Sequence, residues 1–234
     1  TWSMAAEADI DQLVEARDRH GDRLVIIGIA LDPGGHRLVA PWREARGVRY
    51  LVALGTVCDM VPLTGVNRAL VIQGLKVLAA TPSTGIAALM AVAGIEGEPR
   101  PSHLGFQLGP RINAGGRVGE AGLGARLLLS TDAEEARGLA RRLDALNAER
   151  RRIEAETLVE AVAAAEACSG PIVVAAGDGW HAGVVGIVAS RLVERFHRPA
   201  FVVAFDGDQG RGSARSVEGV DVGHPDLHDV GLVA

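Results

Sequence analysis

The chain has 234 residues, of which 48% are hydrophobic and 23% charged, and a formal net charge of -5 at pH 7. This length and composition are typical of a globular chain with one large or two small cores, and they exclude a disordered or collagen-like protein. The acidic balance argues against a generally basic nucleic-acid-binding surface, so any contact with DNA has to use local clusters of arginine.

The sequence carries no sign of export or of membrane insertion. No stretch reaches the roughly 18 uninterrupted apolar residues of a membrane span, and no basic segment precedes an apolar signal core. Cys58 and Cys168 are the two cysteines, and they form no Cys-x-x-Cys pair, which argues against a disulfide framework and a thiolate zinc site. We expect both thiols to be buried and the protein to be cytoplasmic, with no membrane contact.

The first 130 residues predict two regions. Residues 1–47 predict a helix around Ile10 to Arg19 and a short buried strand from Leu24 to Leu31, which a turn at Asp32-Pro-Gly-Gly ends. Residues 48–130 predict helices separated by Gly and Pro, because apolar residues recur there at helical spacing. They include Leu70, Val71, Leu75, Leu78, Ile86, Leu89 and Met90.

One carboxylate stands at the end of an apolar run in this second region. The run begins at Leu51 and reaches Asp59, and Pro62 prevents the element from continuing. We expect Asp59 to be buried there, where a carboxylate needs a hydrogen-bonding partner or a cation. Spacing alone leaves two interpretations open, a capping residue bonded to nearby backbone N–H groups and a metal ligand or catalytic group.

A long helix is predicted next. Thr131-Asp-Ala-Glu134 fits a capping box, and the helical pattern ends before Ser169-Gly170-Pro171. About 35 residues at 1.5 Å each span about 50 Å, which favours a bridge between two domains. Arginines alternate with acids along it, and we interpret them as ion pairs on a solvated face rather than a DNA-binding stripe. The charged residues are Arg137, Arg141, Arg142, Arg150, Arg151, Arg152, Glu134, Glu135, Asp144, Glu149, Glu154 and Glu156.

The remaining segments predict an α/β unit. Pro171–Ala176 and Ala200–Phe205 are expected to be two parallel strands joined right-handedly by a helix from Gly183 to Phe196. A glycine-rich tight turn is expected to contain Gly212–Ser216, so the sheet would have two strands.

Three motifs carry groups that can bind phosphate. Arg111 and Arg117 stand among glycines with Asn113 between them, and each guanidinium can grip a phosphate. A glycine-rich turn with solvated arginines is the alternative there. His181 precedes a helix N-terminus and can contact a nucleotide, whereas the neighbouring Trp180 is more simply a packed aromatic than a base-stacking one.

The third motif lies near the end of the chain. Gly212-Ser-Ala-Arg-Ser216 offers the hydroxyl of Ser213, backbone N–H groups and the guanidinium of Arg215, which together suit a terminal phosphate. Ala214 adds a methyl group that a turn tolerates if its φ is negative.

Four segments in order resemble the RecJ family of single-strand-specific DNA exonucleases, in the DHH phosphoesterase superfamily. They are Leu51–Leu63, Gly109–Arg117, Trp180–Leu192 and Gly210–Ser216, and the resemblance extends from about Tyr50 to Val222. It implies an α/β protein with five parts along the chain. These are a non-matching segment (1–47), the helical C-terminal part of a DHH domain (48–130), a long connecting helix (131–169), a partial DHH-associated substrate-binding domain (170–222) and a non-matching tail (223–234).

The resemblance also implies a reaction and a set of roles. The reaction is 5′→3′ hydrolysis of single-stranded DNA with Mn²⁺ or Mg²⁺ during recombination and repair. Asp59 would be a catalytic group and metal ligand, and the DNA contacts would come from Arg111, Asn113, Arg117, His181, Ser213 and Arg215, with Ser213 and Arg215 at the 5′ phosphate.

The metal-binding motifs of the family are incompletely matched. Asp-His-His occurs nowhere in the 234 residues, and neither the upstream Asp-x-Asp motif nor the downstream Gly-Gly-His motif of the family is matched. One carboxylate does not hold two cations, so we expect this polypeptide to be a fragment with little or no nuclease activity. The alternatives are a non-catalytic single-stranded-DNA-binding relative and a DHH-type phosphodiesterase acting on small nucleotides or oligoribonucleotides.

Overall fold

The computed structural model describes residues 49–80 and 82–222, and the side chains of residues 52–80 and 82–222. The predictions for residues 1–47 and 223–234 therefore lie outside the described residues. In chain order the helices are α1 (Arg49–Cys58), α2 (Gly65–Ala80), α3 (Thr84–Val92), α4 (Pro101–His103), a π-helix (Leu104–Leu108), α5 (Gly109–Val118), α6 (Leu123–Leu129), α7 (Ala133–Glu166) and α8 (Val185–Phe196). The strands are β1 (Val173–Asp178), β2 (Ala200–Asp206) and β3 (Gln209–Arg215).

Two compact units make up the chain. Within the described residues, the first comprises 49–80 with Gly97–Gly105, and the second Pro82–Glu96 with 106–222. In the first unit α1 packs along α2, and both helices bury apolar side chains, among them Ala53, Leu54, Val71 and Leu78. Apolar burial of this kind is what holds short helices together in water.

The long helix α7 forms as predicted and organises the second unit. It has 34 residues, which corresponds to about 51 Å at 1.5 Å per residue. Helices α3, α5 and α6 pack against it, and so do β1 and α8, so it connects the helical part of this unit to the sheet. Its last buried residues, Ala161 and Ala165, belong to the core beneath the sheet.

The N-cap of α7 differs from the prediction. Asp132, not Thr131, is the cap, and its carboxylate accepts a hydrogen bond of 2.7 Å from the N–H of Glu135. Ser130 donates a further 2.8 Å bond to the carboxylate of Glu135. Both Thr and Asp are good caps, and the backbone places Asp132 at the position where its oxygen reaches the first turn.

Several of the charged residues of α7 form the expected ion pairs along the helix, whereas Asp144 pairs with Arg111 of α5. Arg152 bonds both Glu149 and Glu156, and Arg137 bonds Glu134. These pairs are exposed, and exposed pairs contribute little to stability. One pair differs, because Arg150 and Glu154 are largely buried, with side chains 13% and 12% exposed.

The α/β unit has one strand more than predicted. β1 and β2 are parallel, with Val173 opposite Ala200, and α8 joins them as expected. The segment expected to be a tight turn is instead strand β3, which pairs antiparallel with β2, so the sheet order is β1-β2-β3. Ala214 lies opposite Phe201 in this pairing, and its extended backbone tolerates the added methyl group.

Among the described residues, no single helix is long and apolar enough to cross a membrane, although α2 and α3 reach that length and composition when taken together.

Candidate nucleic-acid interface

Asp59 lies just after α1 and is exposed, so the expectation of a buried carboxylate is wrong. Its own N–H donates to the carbonyl oxygen of Gly55 at 2.9 Å, and Met60 follows with a φ of 55°. The helix ends here because the backbone leaves the helical region, and the carboxylate is carried out into solvent. The capping interpretation finds no support, because the side chain bonds no backbone N–H among the described residues.

The described residues do not assemble a metal centre. Within 49–80 and 82–222, no three side chains of His, Cys, Asp or Glu converge as cation ligands. Two divalent cations need several oxygen or imidazole ligands. The part of the chain that the structure describes therefore does not form such a centre by itself.

Next to Asp59, Cys58 has a protected thiol. It is partly buried rather than fully buried, and its S–H donates to the carbonyl oxygen of Leu104 at 3.5 Å. Burial, and to a lesser degree the charge of Asp59, raise the pKa of the thiol to about 11. The thiolate is the reactive form of cysteine, so Cys58 is a poor nucleophile and a poor metal ligand at neutral pH.

The Gly109–Arg117 motif lies in helix α5, so a glycine-rich turn is the wrong description of it. Asn113 and Arg117 are four residues apart, which places them on one face of the helix, and both are exposed. Arg111 lies on another face. Its Nε donates to Asp144 of α7 at 2.8 Å and its Nη1 to the carbonyl oxygen of Gln107 at 2.8 Å, and its side chain is 14% exposed.

The three polar residues of α5 therefore differ in what they offer a ligand. Arg111 pins α5 to α7 with two of its five N–H donors, so a phosphate would meet only the remaining donors while both bonds last. Asn113 and Arg117 present their polar ends to solvent.

Arg117 meets the loop that precedes α8. Its Nη1 donates to the carbonyl oxygen of Gly183 at 3.3 Å. A Cβ on Gly183 would lie 2.0 Å from the carbonyl oxygen of Arg117, a distance at which no side chain fits. Gly183 is thus a packing glycine, as its sequence context suggests, and it lets two backbones meet at the edge of the interface.

Trp180 and His181 come shortly before Gly183 in the chain. Trp180 is half-buried, its ring lies against Gly177, and its Nε1 donates to Glu160 at 2.7 Å. These contacts favour packing over base stacking. His181 is exposed, and its Nδ1 accepts a hydrogen bond from the N–H of Gly183 at 3.0 Å, which leaves Nε2 as the ring's donor toward solvent.

Ser213 and Arg215 lie against the first turn of α8. A Cβ on Gly186 would be 3.1 Å from the Ser213 hydroxyl and 3.2 Å from Nη2 of Arg215. Arg215 donates to that hydroxyl at 3.1 Å and to the carbonyl oxygen of Ala214 at 2.7 Å. The N-terminus of a helix carries partial positive charge, so the hydroxyl, the guanidinium and the helix end form one cationic recess.

The second unit thus brings four predicted residues into two linked groups, and a fifth, Asn113, lies nearby on α5. Arg117 and His181 flank Gly183, and Ser213 with Arg215 flank Gly186, three residues further along the chain. Asn113 lies on the α5 face that ends at Arg117. Asp59 belongs to the first unit.

An ion-pair cluster between α7 and α8 consists of Arg150, Glu154 and Arg191. The sequence analysis did not predict it. It placed Arg150 and Glu154 among solvated ion pairs. Their spacing carried a signal, since Leu143, Asn147, Arg150 and Glu154 follow at intervals of four, three and four residues, the period of the buried stripe of α7.

Comparison with known proteins places the chain beside one family. The DHHA1 domain model matches residues 169–224, which include α8 and all three strands. The single-stranded-DNA-specific exonuclease RecJ of Bacillus subtilis is 35% identical over 242 aligned positions, which cover 94% of this chain and 31% of that protein. RecJ of Escherichia coli is 46% identical over 180 positions, covering 73% of this chain and 31% of the relative.

Solved structures agree with these matches. RecJ of Thermus thermophilus in complex with Mg²⁺ has a TM-score of 0.67 and 37% identity over 75% of this chain and 27% of that chain. The complex with Mn²⁺ from the same organism has a TM-score of 0.68 and 39% identity, over 75% and 26% of the two chains. The chain is thus of the RecJ type, spans about a third of the length of the relatives it matches, and matches the DHHA1 domain over residues 169–224.

Proposed function

We propose that this chain supplies the strand-binding part of a RecJ-type exonuclease, which hydrolyses single-stranded DNA from the 5′ end with Mn²⁺ or Mg²⁺. The observation that supports it most is the recess where Ser213 and Arg215 meet the first turn of α8 beside Gly186. A hydroxyl, a guanidinium and a helix N-terminus are together well suited to a terminal phosphate.

The other polar residues extend this surface along a strand. Arg117 and Asn113 would contact backbone phosphates, since both are exposed on the same face of α5. His181 would donate from Nε2 to a phosphate or sugar oxygen, because its Nδ1 is engaged with the Gly183 N–H. Arg111, held by Asp144 and Gln107, would act by fixing α5 unless it exchanges partners on binding.

The metal chemistry would involve ligands beyond the described residues. Asp59 is the family-matched ligand, and bound Mn²⁺ or Mg²⁺ would polarise the phosphodiester and supply hydroxide. The sequence contains no Asp-His-His. We therefore expect the 234-residue polypeptide to bind DNA without degrading it. A cytoplasmic location is part of the proposal, since the relatives are bacterial and act on DNA.

One alternative has a specific observation in its favour. No three metal-ligating side chains converge in the part of the chain that the structure describes, which suits a non-catalytic single-stranded-DNA-binding relative. A phosphodiesterase for small nucleotides remains the other candidate within the superfamily.

A titration with and without Mn²⁺ separates these functions. The probes are a 5′-phosphorylated single strand, the same sequence as a duplex, and a dinucleotide. We expect metal-independent binding to the single strand, weaker binding to the duplex and no product with any probe. Strand degradation that Asp59→Ala abolishes would contradict the expected inactivity. Turnover of the dinucleotide would favour the small-nucleotide enzyme, and no binding to any probe would contradict the proposal.

A further inference from the structure

Two carboxylates of α7 pair with arginines of α8: Glu166 bonds Arg195 at 3.0 Å, and Glu154 lies close to Arg191. Glu154 of α7 accepts a 2.6 Å hydrogen bond from Nη1 of Arg150 on its Oε2, and its Oε1 lies 3.6 Å from Nε of Arg191 on α8. The Glu154 and Arg150 side chains are 12% and 13% exposed, so solvent screens their bond only weakly, whereas Arg191 is 51% exposed. Arg191 also bonds Glu194 of its own helix at 3.0 Å, and Glu154 is its partner on α7.

The burial of Arg150 in this position costs free energy. Its Nη2 donates to the buried amide oxygen of Asn147 at 2.9 Å, while its buried Nε has no hydrogen-bond partner among the described residues. Burial lowers the pKa of Arg150, and the charges of Arg117, Arg151 and Arg191 act in the same direction, against the opposing effect of Glu154. A buried guanidinium with an unsatisfied donor costs stability, so stability alone does not explain an arginine at this position.

The position of this cluster supplies the reason. The end of α5 meets the loop before α8 where Arg117 contacts Gly183. Three residues later, Gly186 contacts Ser213 and Arg215. Because α5 packs on α7 and β3 packs on α8, the orientation of α8 against α7 sets how far the Arg117 group lies from the recess. Glu154 with its two arginines contributes to that orientation, together with the apolar core that the two helices share and the Glu166–Arg195 pair.

We propose that Arg150 is a positioning residue: through Glu154 and Arg191 it holds α8 against α7, and it thereby sets the spacing between Arg117 and the Ser213–Arg215 recess. A strand that contacts both groups binds as a bivalent ligand, whose affinity depends on that spacing. The proposal rests on the proposed function for the identity of the ligand. The spacing itself is a property of the protein alone.

The spacing can be measured without DNA. Spin labels at two exposed positions, Gly116→Cys on α5 and Arg211→Cys on β3, report it in a chain whose Cys58 and Cys168 are replaced by serine. Arg150→Gln should broaden or shift the distance distribution. Arg152→Gln is the matched control, because Arg152 is on the same helix and its partners are exposed, and it should leave the distribution unchanged. An unchanged distribution in folded Arg150→Gln would overturn the proposal.

Binding gives the second readout. Arg150→Gln should weaken binding of a strand long enough to reach both groups by about tenfold or more, while inorganic phosphate binds as well as before. Equal losses for strand and phosphate, or no loss for either, would overturn the proposal. Arg150→Lys, which keeps the charge, should recover part of the strand affinity.

Two other outcomes, a variant that fails to fold and a chain that binds no DNA, can be told apart from failure of the positioning role. If Arg150→Gln fails to fold because Glu154 loses its buried partner, the double variant Arg150→Met with Glu154→Gln removes both charges and should restore folding. It should still show the altered spacing, and a native spacing in it would overturn the proposal. If the unsubstituted chain binds no strand, the proposed function fails, whereas the distance measurement continues to test the positioning role.

Discussion

Two glycines of the candidate interface differ in the space available for a side chain. Gly183 lies where a side chain would collide with a backbone carbonyl, whereas Gly116, on the exposed side of α5, has no neighbour in the place of a Cβ. Close packing therefore requires a glycine at 183 but not at 116, and an alanine substitution at each position distinguishes the two cases.

Gly183→Ala should destabilise the protein. Its Cβ would lie 2.0 Å from the carbonyl oxygen of Arg117, so the backbone has to shift, at a cost of about 1–3 kcal/mol in the free energy of unfolding. Gly116→Ala is the control and should stabilise by about 0.5–1 kcal/mol, because it adds a good helix former at an open position. Urea unfolding measures both. Equal stabilities of the two variants would contradict the close approach.

Cys58 should make stability depend on pH above neutrality. Its pKa rises from 9.0 to about 11 on folding, so the folded state holds the proton more tightly than the unfolded state. The resulting stabilisation is complete below pH 9 and is lost as the pH rises through 11. Cys58→Ser should flatten the decline of the free energy of unfolding over that range, when compared with the unsubstituted chain. Identical declines would show that the thiol is not protected.

Whole elements follow their sequence signals where local and tertiary forces agree. Helix α7 and the β1-α8-β2 unit lie within a few residues of their predicted bounds, since their apolar periods are strong. Strand β3 was missed because Gly207, Gly210 and Gly212 have low β-propensity and favour a turn. Pairing with β2 decides its conformation, and that pairing is a long-range property that the local pattern does not contain.

The cap of α7 gives a test at this scale. Asp132 accepts from the N–H of Glu135 at 2.7 Å, so Asp132→Ala should cost about 0.5–2 kcal/mol in unfolding free energy. Thr131→Ala, the neighbouring substitution that the capping-box pattern favours, should cost much less. Denaturant unfolding of the two variants decides between them, and a larger loss for Thr131→Ala would restore the capping box.

At the scale of the whole molecule, an acidic chain presents local cationic groups. The sequence predicted which residues these are, because the four motifs resemble the RecJ family. It did not predict how each is used. Arg111 is bound to Asp144 and Arg150 is buried beside Glu154, since both depend on packing against α7. Asp59 is exposed although its neighbours are apolar, because α1 ends at Cys58.

The recess at Ser213 and Arg215 is the part of the account that a binding measurement tests most directly. The affinity of the chain for a 5′-phosphorylated single strand is compared with its affinity for the same strand ending in a hydroxyl, without metal. Arg215→Gln should weaken binding of the phosphorylated strand by about 1.5–3 kcal/mol, roughly tenfold or more, because a charged hydrogen bond is lost. Arg211→Gln is the control, because Arg211 is an exposed arginine on β3 as well. It should change the affinities for the phosphorylated DNA and the hydroxyl-ended DNA by the same factor. Equal weakening of both strands by Arg215→Gln would contradict a terminal-phosphate recess.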